Sequence, residues 1–168
     1  MPKISLKGKN LPTSPIRKLS KYATDAKAKG IDVIHLNIGQ PDIDTPAKAL
    51  QAIQSFDKNV LAYGPSEGSL AYRQKMCSYF AKHNIEVQPD DILVTTGASE
   101  AIIMTLDCIT NEGDELIIPE PFYANYDTFA AACGVKVVPV SSTIDSNFSL
   151  PPIDVIEGKI NAKKDLLP

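Results

Sequence analysis

The sequence predicts an α/β fold with a mostly parallel sheet, and three observations carry that prediction. Beyond Pro89, short apolar runs at Ile92–Thr96, Glu115–Ile118 and Val135–Val140 alternate with helical patterns at Ser99–Ile109 and Tyr123–Cys133. Alternation of this kind, with short turns between, marks βαβ units whose crossovers default to the right hand. The first of these strands empties into the small-residue turn Gly97-Ala98-Ser99, which opens a helix. With 168 residues, 43% of them hydrophobic, the chain is also long enough for one ordinary domain with a sizeable core.

Taken in order, Met1 to Thr13 mixes lysines with Gly8, Pro2 and Pro12 without any period and reads as an extended arm that packs on something other than itself. Ser14 reads as an N-cap with Pro15 at the first helical position, and Ile16, Leu19, Ala23 and Ala26 recur at helical spacing until Gly30. Val33–Leu36 reads as a short strand, Asn37–Asp44 as a turn-rich loop, and Thr45-Pro46 as the start of a helix that turns Ala49, Leu50, Ile53 and Phe56 inward. Asn59–Gly68 is irregular. A helix follows from about Ser69 to His83, with Leu70, Met76, Cys77 and Phe80 on its buried face. After the three-strand stretch, Pro151-Pro152 introduce a helix over Ile153–Ile160, and the tail from Asn161 has no element of its own. There is neither an internal repeat nor a low-complexity segment.

Composition excludes several classes of function. Net charge is -3 and the lysines are dispersed, which argues against a nucleic-acid partner. No apolar run is long enough to span a membrane, and Met1–Asn10 lacks the apolar core of a signal peptide. Cys77, Cys108 and Cys133 are odd in number, far apart and set in apolar helical patterns, so they read as small hydrophobes in a reducing cytoplasm. His35 and His83 have no partner at metal-ligand spacing, so no metal site is expected.

Chemistry is expected where strands meet helices. At Gly97, Ala98 and Ser99 a helix N-terminus offers unpaired amides and roughly half a positive charge. Small side chains let a phosphate approach, and the Ser99 hydroxyl can donate to it; each charge-assisted bond contributes about 1.5–3 kcal/mol. Ser99 serves equally well, on spacing alone, as a plain helix cap. Pro119–Tyr126 lies where the next strand ends, and in an open parallel sheet ligands bind at the carboxyl ends of strands. Tyr123 there can stack on a flat ring, although a tyrosine opening a helix is more often a core or interface aromatic. Gly39, in N-I-G-Q-P-D, would let a carboxylate approach the backbone, or is simply a turn; Tyr63 is ambiguous by itself.

The ordered set S-P-I-R-K-L, L-N-I-G-Q-P-D, Y-G-P-S-E-G-S-L-A-Y-R, T-T-G-A-S-E-A, E-G-D-E-L-I-I-P-E-P-F-Y-A-N-Y and G-V-K-V-V-P-V closely resembles the N-terminal part of class I aminotransferases, fold-type-I pyridoxal-phosphate enzymes, with the aspartate aminotransferase branch nearest. The likeness covers about Ser14 to Ile160. It implies an incomplete three-layer αβα large domain, with residues 1–44 as arm and small-domain segment and 45–168 as the first part of the cofactor domain. It implies pyridoxal 5'-phosphate as cofactor, its phosphate held by Gly97, Ala98 and Ser99 and its ring stacked on Tyr123. Gly39 would bind the substrate α-carboxylate. Tyr63 matches a tyrosine that reaches across a homodimer to the phosphate of the partner's cofactor, and the arm before Ser14 matches a segment that clasps the other subunit.

The resemblance runs out near Lys159–Pro168, where the family continues into an asparagine loop that this sequence does not match. The Schiff-base lysine, the aspartate facing the pyridinium nitrogen and the arginine that grips the substrate carboxylate have no counterparts here, so no catalytic residue is assigned. The expected function is therefore amino-group transfer between an amino acid, aspartate or similar, and a 2-oxo acid, represented by its N-terminal portion. The alternatives are an inactive truncated fragment that binds phosphate or pairs with a partner, and another fold-type-I activity such as a carbon-sulfur lyase.

Overall fold

A computed structural model describes residues 2–12, 14 and 16–161. The chain divides into two compact units, one comprising Met1–Asn37 and Gly97–Pro168, the other Ile38–Thr96.

The first unit is built on two parallel strands, β1 (Glu115–Glu120) and β2 (Lys136–Ser141), with Glu115 opposite Lys136 and Glu120 opposite Ser141. Their crossover carries one helix, numbered α6 in chain order (Tyr126–Cys133), which packs on β2 and on α5 (Ala98–Ile109). Phe129 and Ala130 are the buried residues of α6 and, with Leu106 of α5, Val135 and Val140, form the described core. Ala130 has no exposed surface, so helix and sheet meet there without room for a longer side chain. Gly134, in the left-handed region, ends α6: the Val135 amide donates to Ala130 O at 2.8 Å and the Gly134 amide to Ala131 O at 3.2 Å, the paired bonds of a Schellman turn. At the same end of the strands the Gly113 amide donates to Gly134 O and the Lys136 amide to Asp114 O, both at 2.9 Å. At the opposite end, the Ser142 amide donates to Glu120 O at 2.9 Å and the Ser141 hydroxyl to the Glu120 carboxylate at 3.0 Å.

The remaining helices of this unit are α1 (Leu6–Asn10), α2 (Ser20–Ala28) and α7 (Ile153–Glu157). The second unit holds α3 (Ala47–Gln54), α4 (Leu70–Ala81) and a 3-10 turn at Pro89–Asp91. Its buried charged residue is Arg73, on α4, which bonds to both neighbouring loops. Gly68 sits at φ +96°, and a Cβ there would lie 2.5 Å from a Val94 methyl, so this glycine lets the loop rest directly on the following segment.

The α/β class and parallel pairing agree with the sequence, and several expectations are corrected. The arm is not wholly extended: Leu6–Asn10 is helical, with the Ser5 hydroxyl accepting from the Gly8 amide at 3.0 Å, an N-cap bond that supports one turn without apolar periodicity. Helix α2 begins at Ser20 after a run of turns, and the Ser14 hydroxyl donates to the Asn125 side chain at 3.1 Å instead of capping. Val33–Leu36 and Ile92–Thr96 enter no strand ladder among the described residues, because a β run needs a neighbouring strand and their apolar content cannot supply one. The inward face foreseen for α3 is exposed: Leu50, Ile53 and Phe56 are 46%, 74% and 57% accessible, and Leu70 of α4 is 50%. Helical periodicity reports a face fit for burial, not what covers it. Helix α6 starts three residues after Tyr123, and α7 stops at Glu157. The expectations for Pro15 and for the tail at 162–168 fall outside the described residues. No described helix is long and apolar enough to cross a membrane.

The chain exposes 14094 Å². A compact monomer of its mass exposes about 8,100 Å². The difference is several times the roughly 600–1,500 Å² hidden by an ordinary domain contact, so it persists however the units are placed. Ile34, Leu36, Leu61 and Tyr63 are among the side chains left in water, at 80%, 93%, 80% and 107% accessibility. The chain on its own is therefore expected to bind the dye ANS and to sediment as associating species, and a dye-silent monomer in analytical ultracentrifugation would contradict this. Gly68→Ala is expected to destabilise the second unit by about 1–3 kcal/mol, measured by amide exchange in α4, since it adds strain and a clash with Val94.

Candidate functional site

Helix α5 opens at Ala98 with Gly97 as its N-cap at φ 82°, ψ 170°, a conformation that L-residues resist. A Cβ on Gly97 would meet nothing within 4 Å, so the space beside this turn is open. Gly97, Ala98 and Ser99 are all exposed, and helix geometry leaves the Ala98 and Ser99 amides without an intrahelical carbonyl. The capping role left open for Ser99 is not the one it has: Gly97 occupies the cap, no side-chain cap bond forms, and the Ser99 hydroxyl stands on the first turn. Glu100, in the same turn, offsets part of the positive helix end.

Tyr123 follows the end of β1 in the same unit and is 48% exposed. Its ring meets Tyr126 edge-on at 5.7 Å and Phe129 at 6.4 Å, and its hydroxyl accepts from the Asn125 amide at 2.7 Å. Because Asn125 also accepts from Ser14, one amide side chain ties the tyrosine to the segment preceding α2. Sequence reasoning passed over Asn125; the only available signal was an amide two residues from an aromatic, which is weak. The ring contacts described for Tyr123 are to aromatic neighbours, not to Gly97–Ser99. A cavity of about 350 Å³ lies between Ala101, Ile102 and Thr105 of α5, Leu116 to Ile118 of β1, and Tyr126. Its lining is almost wholly apolar, which suits buried side chains better than a phosphate.

Gly39 and Tyr63 belong to the other unit. Gly39 stands in an exposed loop with nothing within 4 Å of a Cβ, and Tyr63 has its whole side chain in solvent. Among the described residues no group of three or more His, Cys, Asp or Glu is placed to hold a metal.

One thiol is electrostatically distinct. Cys133 of α6 donates to the Ile103 carbonyl of α5 at 3.7 Å. Burial, then a hydrogen bond to Asp107 and its charge, push its pKa above the ordinary 9.0, with Lys7 pulling the other way.

The family described as Aminotransferase class I and II matches residues 31–163. The chain belongs to that family. It is 34% identical to an aspartate aminotransferase of Bacillus sp. (strain YM-2), over 84% of this chain and 37% of the relative. With a probable N-acetyl-LL-diaminopimelate aminotransferase of Bacillus subtilis it shares 38% identity over 82% of this chain and 35% of the relative. Among solved structures, the alanine aminotransferase of Pyrococcus furiosus superposes with a TM-score of 0.87 at 28% identity, covering 96% of this chain and 42% of that one. The aspartate aminotransferase of Thermotoga maritima gives 0.85 at 26%, covering 96% and 43%. The chain thus spans about two-fifths of the length of these relatives.

A raised thiol pKa contributes stability that is complete below the ordinary thiol value and is lost as pH rises through the raised one. In this chain the α5–α6 contact should therefore loosen in that alkaline window. At pH 8.5 iodoacetamide is expected to modify exposed Cys108 faster than Cys133, and equal rates by mass spectrometry would contradict the shift.

Proposed function

We propose that this chain forms the cofactor-holding part of a pyridoxal 5'-phosphate-dependent aminotransferase that moves an amino group between an amino acid and a 2-oxo acid. One observation carries the reading: within one unit, the open Gly97-Ala98-Ser99 start of a 12-residue helix occurs together with a half-exposed tyrosine held by Asn125 where β1 ends. The donor chemistry fits the coenzyme. Two backbone amides, a hydroxyl and a helix N-terminus suit a phosphate dianion, and the free face of a phenol suits a pyridine ring. When bound, the coenzyme supplies an electron sink for negative charge at the substrate α-carbon.

In this reading Gly97 keeps the turn open to the phosphate, Ala98 and Ser99 donate to it, and Tyr123 sets the plane of the ring. Gly39 admits the substrate α-carboxylate to the backbone, and Tyr63 completes the phosphate site of a second copy in a cytoplasmic homodimer. The boundary at 44/45, separating arm and small-domain segment from the cofactor domain, belongs to the same proposal. Aspartate or a similar amino acid is the proposed donor. The relatives' names, spanning aspartate, alanine and arginine–pyruvate transaminases, show that donors differ within the family. No residue of this chain is assigned the catalytic lysine's role. The large exposed surface favours a second reading in which these residues act only as a binding or pairing module.

Pyridoxine 5'-phosphate, which lacks the aldehyde and so cannot label surface lysines, is expected to bind at least about tenfold more tightly than pyridoxine, with Ser99→Ala and Tyr123→Ala each weakening it severalfold. Equal affinity for the two compounds in calorimetry would remove the phosphate site. Borohydride reduction after adding pyridoxal 5'-phosphate separates the two readings: one stoichiometric lysine adduct with turnover indicates a catalyst, scattered labelling without turnover a module.

A further inference from the structure

Asn125 stands at the N-cap of α6 and does not cap it. Asparagine is favoured there because its side-chain carbonyl can take one of the unpaired amides of the first turn, yet no side-chain cap bond forms. Both ends of the side chain are engaged elsewhere: the carbonyl accepts from the Ser14 hydroxyl at 3.1 Å, and the amide donates to the Tyr123 hydroxyl at 2.7 Å. A residue that forgoes its local bond in this way points to a role outside its own helix. Ser14 is itself held by the main chain. The Arg17 and Lys18 amides both donate to Ser14 O at 3.1 Å, and the Asn37 side-chain amide donates to Ile16 O at 2.7 Å in the same turn. All of these residues lie in the unit that contains Gly97, Ala98 and Ser99.

The contacts of Tyr123 restrain different motions. A tyrosine hydroxyl lies on the axis about which its ring flips, so the bond from Asn125 fixes where the side chain points and leaves the tilt of the ring to other groups. Tyr126, at 5.7 Å and 89°, and Phe129, at 6.4 Å and 50°, supply the tilt. With 48% of its surface in solvent, Tyr123 would be free to leave for another rotamer once the Asn125 bond is lost. We propose that Ser14 and Asn125 are positioning residues for the aromatic wall of the coenzyme site. Ser14 occupies the Asn125 carbonyl and so turns the amide toward Tyr123; Asn125 then holds the phenol in the direction that presents its free face to the coenzyme ring. Without the Ser14 hydroxyl, the carbonyl is released to make the ordinary cap bond of α6, which draws the amide away from Tyr123. The role rests on the cofactor reading above, and neither residue touches the ligand in it.

The test on the full chain has one readout without ligand and one with. In Ser14→Ala the Asn125 side-chain amide hydrogens, followed by NMR, are expected to exchange with water about threefold to tenfold faster, and Ser14→Thr, which keeps the hydroxyl, to restore the original rate. Ser14→Ala and Asn125→Ala are each expected to raise the dissociation constant of pyridoxine 5'-phosphate by about threefold to tenfold while that of inorganic phosphate, which has no ring, stays within about twofold. In a Tyr123→Phe background, Ser14→Ala is expected to add no further loss, because the two act through one hydroxyl. Unchanged exchange in Ser14→Ala overturns the relay. Faster exchange with equal losses for both ligands, or with no loss for either, overturns the positioning role, and additive losses in the double variant overturn the route through Tyr123. An unsubstituted chain that binds pyridoxine 5'-phosphate no more tightly than pyridoxine overturns the cofactor reading and the positioning role with it, while the exchange result separately records whether the relay exists.

Discussion

Parallel pairing of β1 with β2 is the constraint on which the first unit depends. Parallel strands cannot be joined by a tight turn, so the chain must cross back, and α6 makes that crossing. The crossing determines what is buried: Phe129 and Ala130 on the helix, Val135 and Val140 around the returning strand, Leu106 from α5. It also determines what is delivered. Because both strands run the same way, their carboxyl ends lie on one side of the sheet, and the residues after β1 are the aromatic cluster Phe122-Tyr123 and its anchor Asn125.

The second unit is organised by a charge instead of an apolar core. None of α4 is fully buried except Arg73, whose bonds run mainly to backbone and near-surface groups. Hydrogen bonds to a buried guanidinium are directional where apolar contacts are not, so they specify one arrangement of two loops that carry little hydrophobic content of their own. Gly68 serves the same arrangement sterically.

Local chemistry was legible in the sequence where a few neighbouring residues decide the outcome. The end of α2 at Gly30, the span of α4, the α5 turn at Gly97 and the β1-α6-β2 unit all follow from caps, glycines and apolar runs within a short window. What depended on partners distant in sequence was not legible. Ile92–Thr96 has strand composition and no ladder, α3 has an amphipathic pattern and an exposed apolar face, and Ser14 gives its hydroxyl to Asn125, 111 residues away. At the candidate site the turn and the tyrosine were readable, because glycine, small residues and an aromatic have strong local signatures. The Asn125 anchor was not, because its importance lies in where its partner Ser14 folds.

The two ends of the small sheet are secured in the same manner. Where the strands begin, main-chain bonds run through Gly113, Gly134, Asp114 and Lys136, and the Lys136 ammonium lies 3.2 Å from the Glu115 carboxylate. Where they finish, the Ser142 amide donates to Glu120 O and the Ser141 hydroxyl to the Glu120 carboxylate. At both rims the register thus rests on main-chain atoms that almost any residue supplies, so the side chains above them can be exchanged one at a time without shifting the strands.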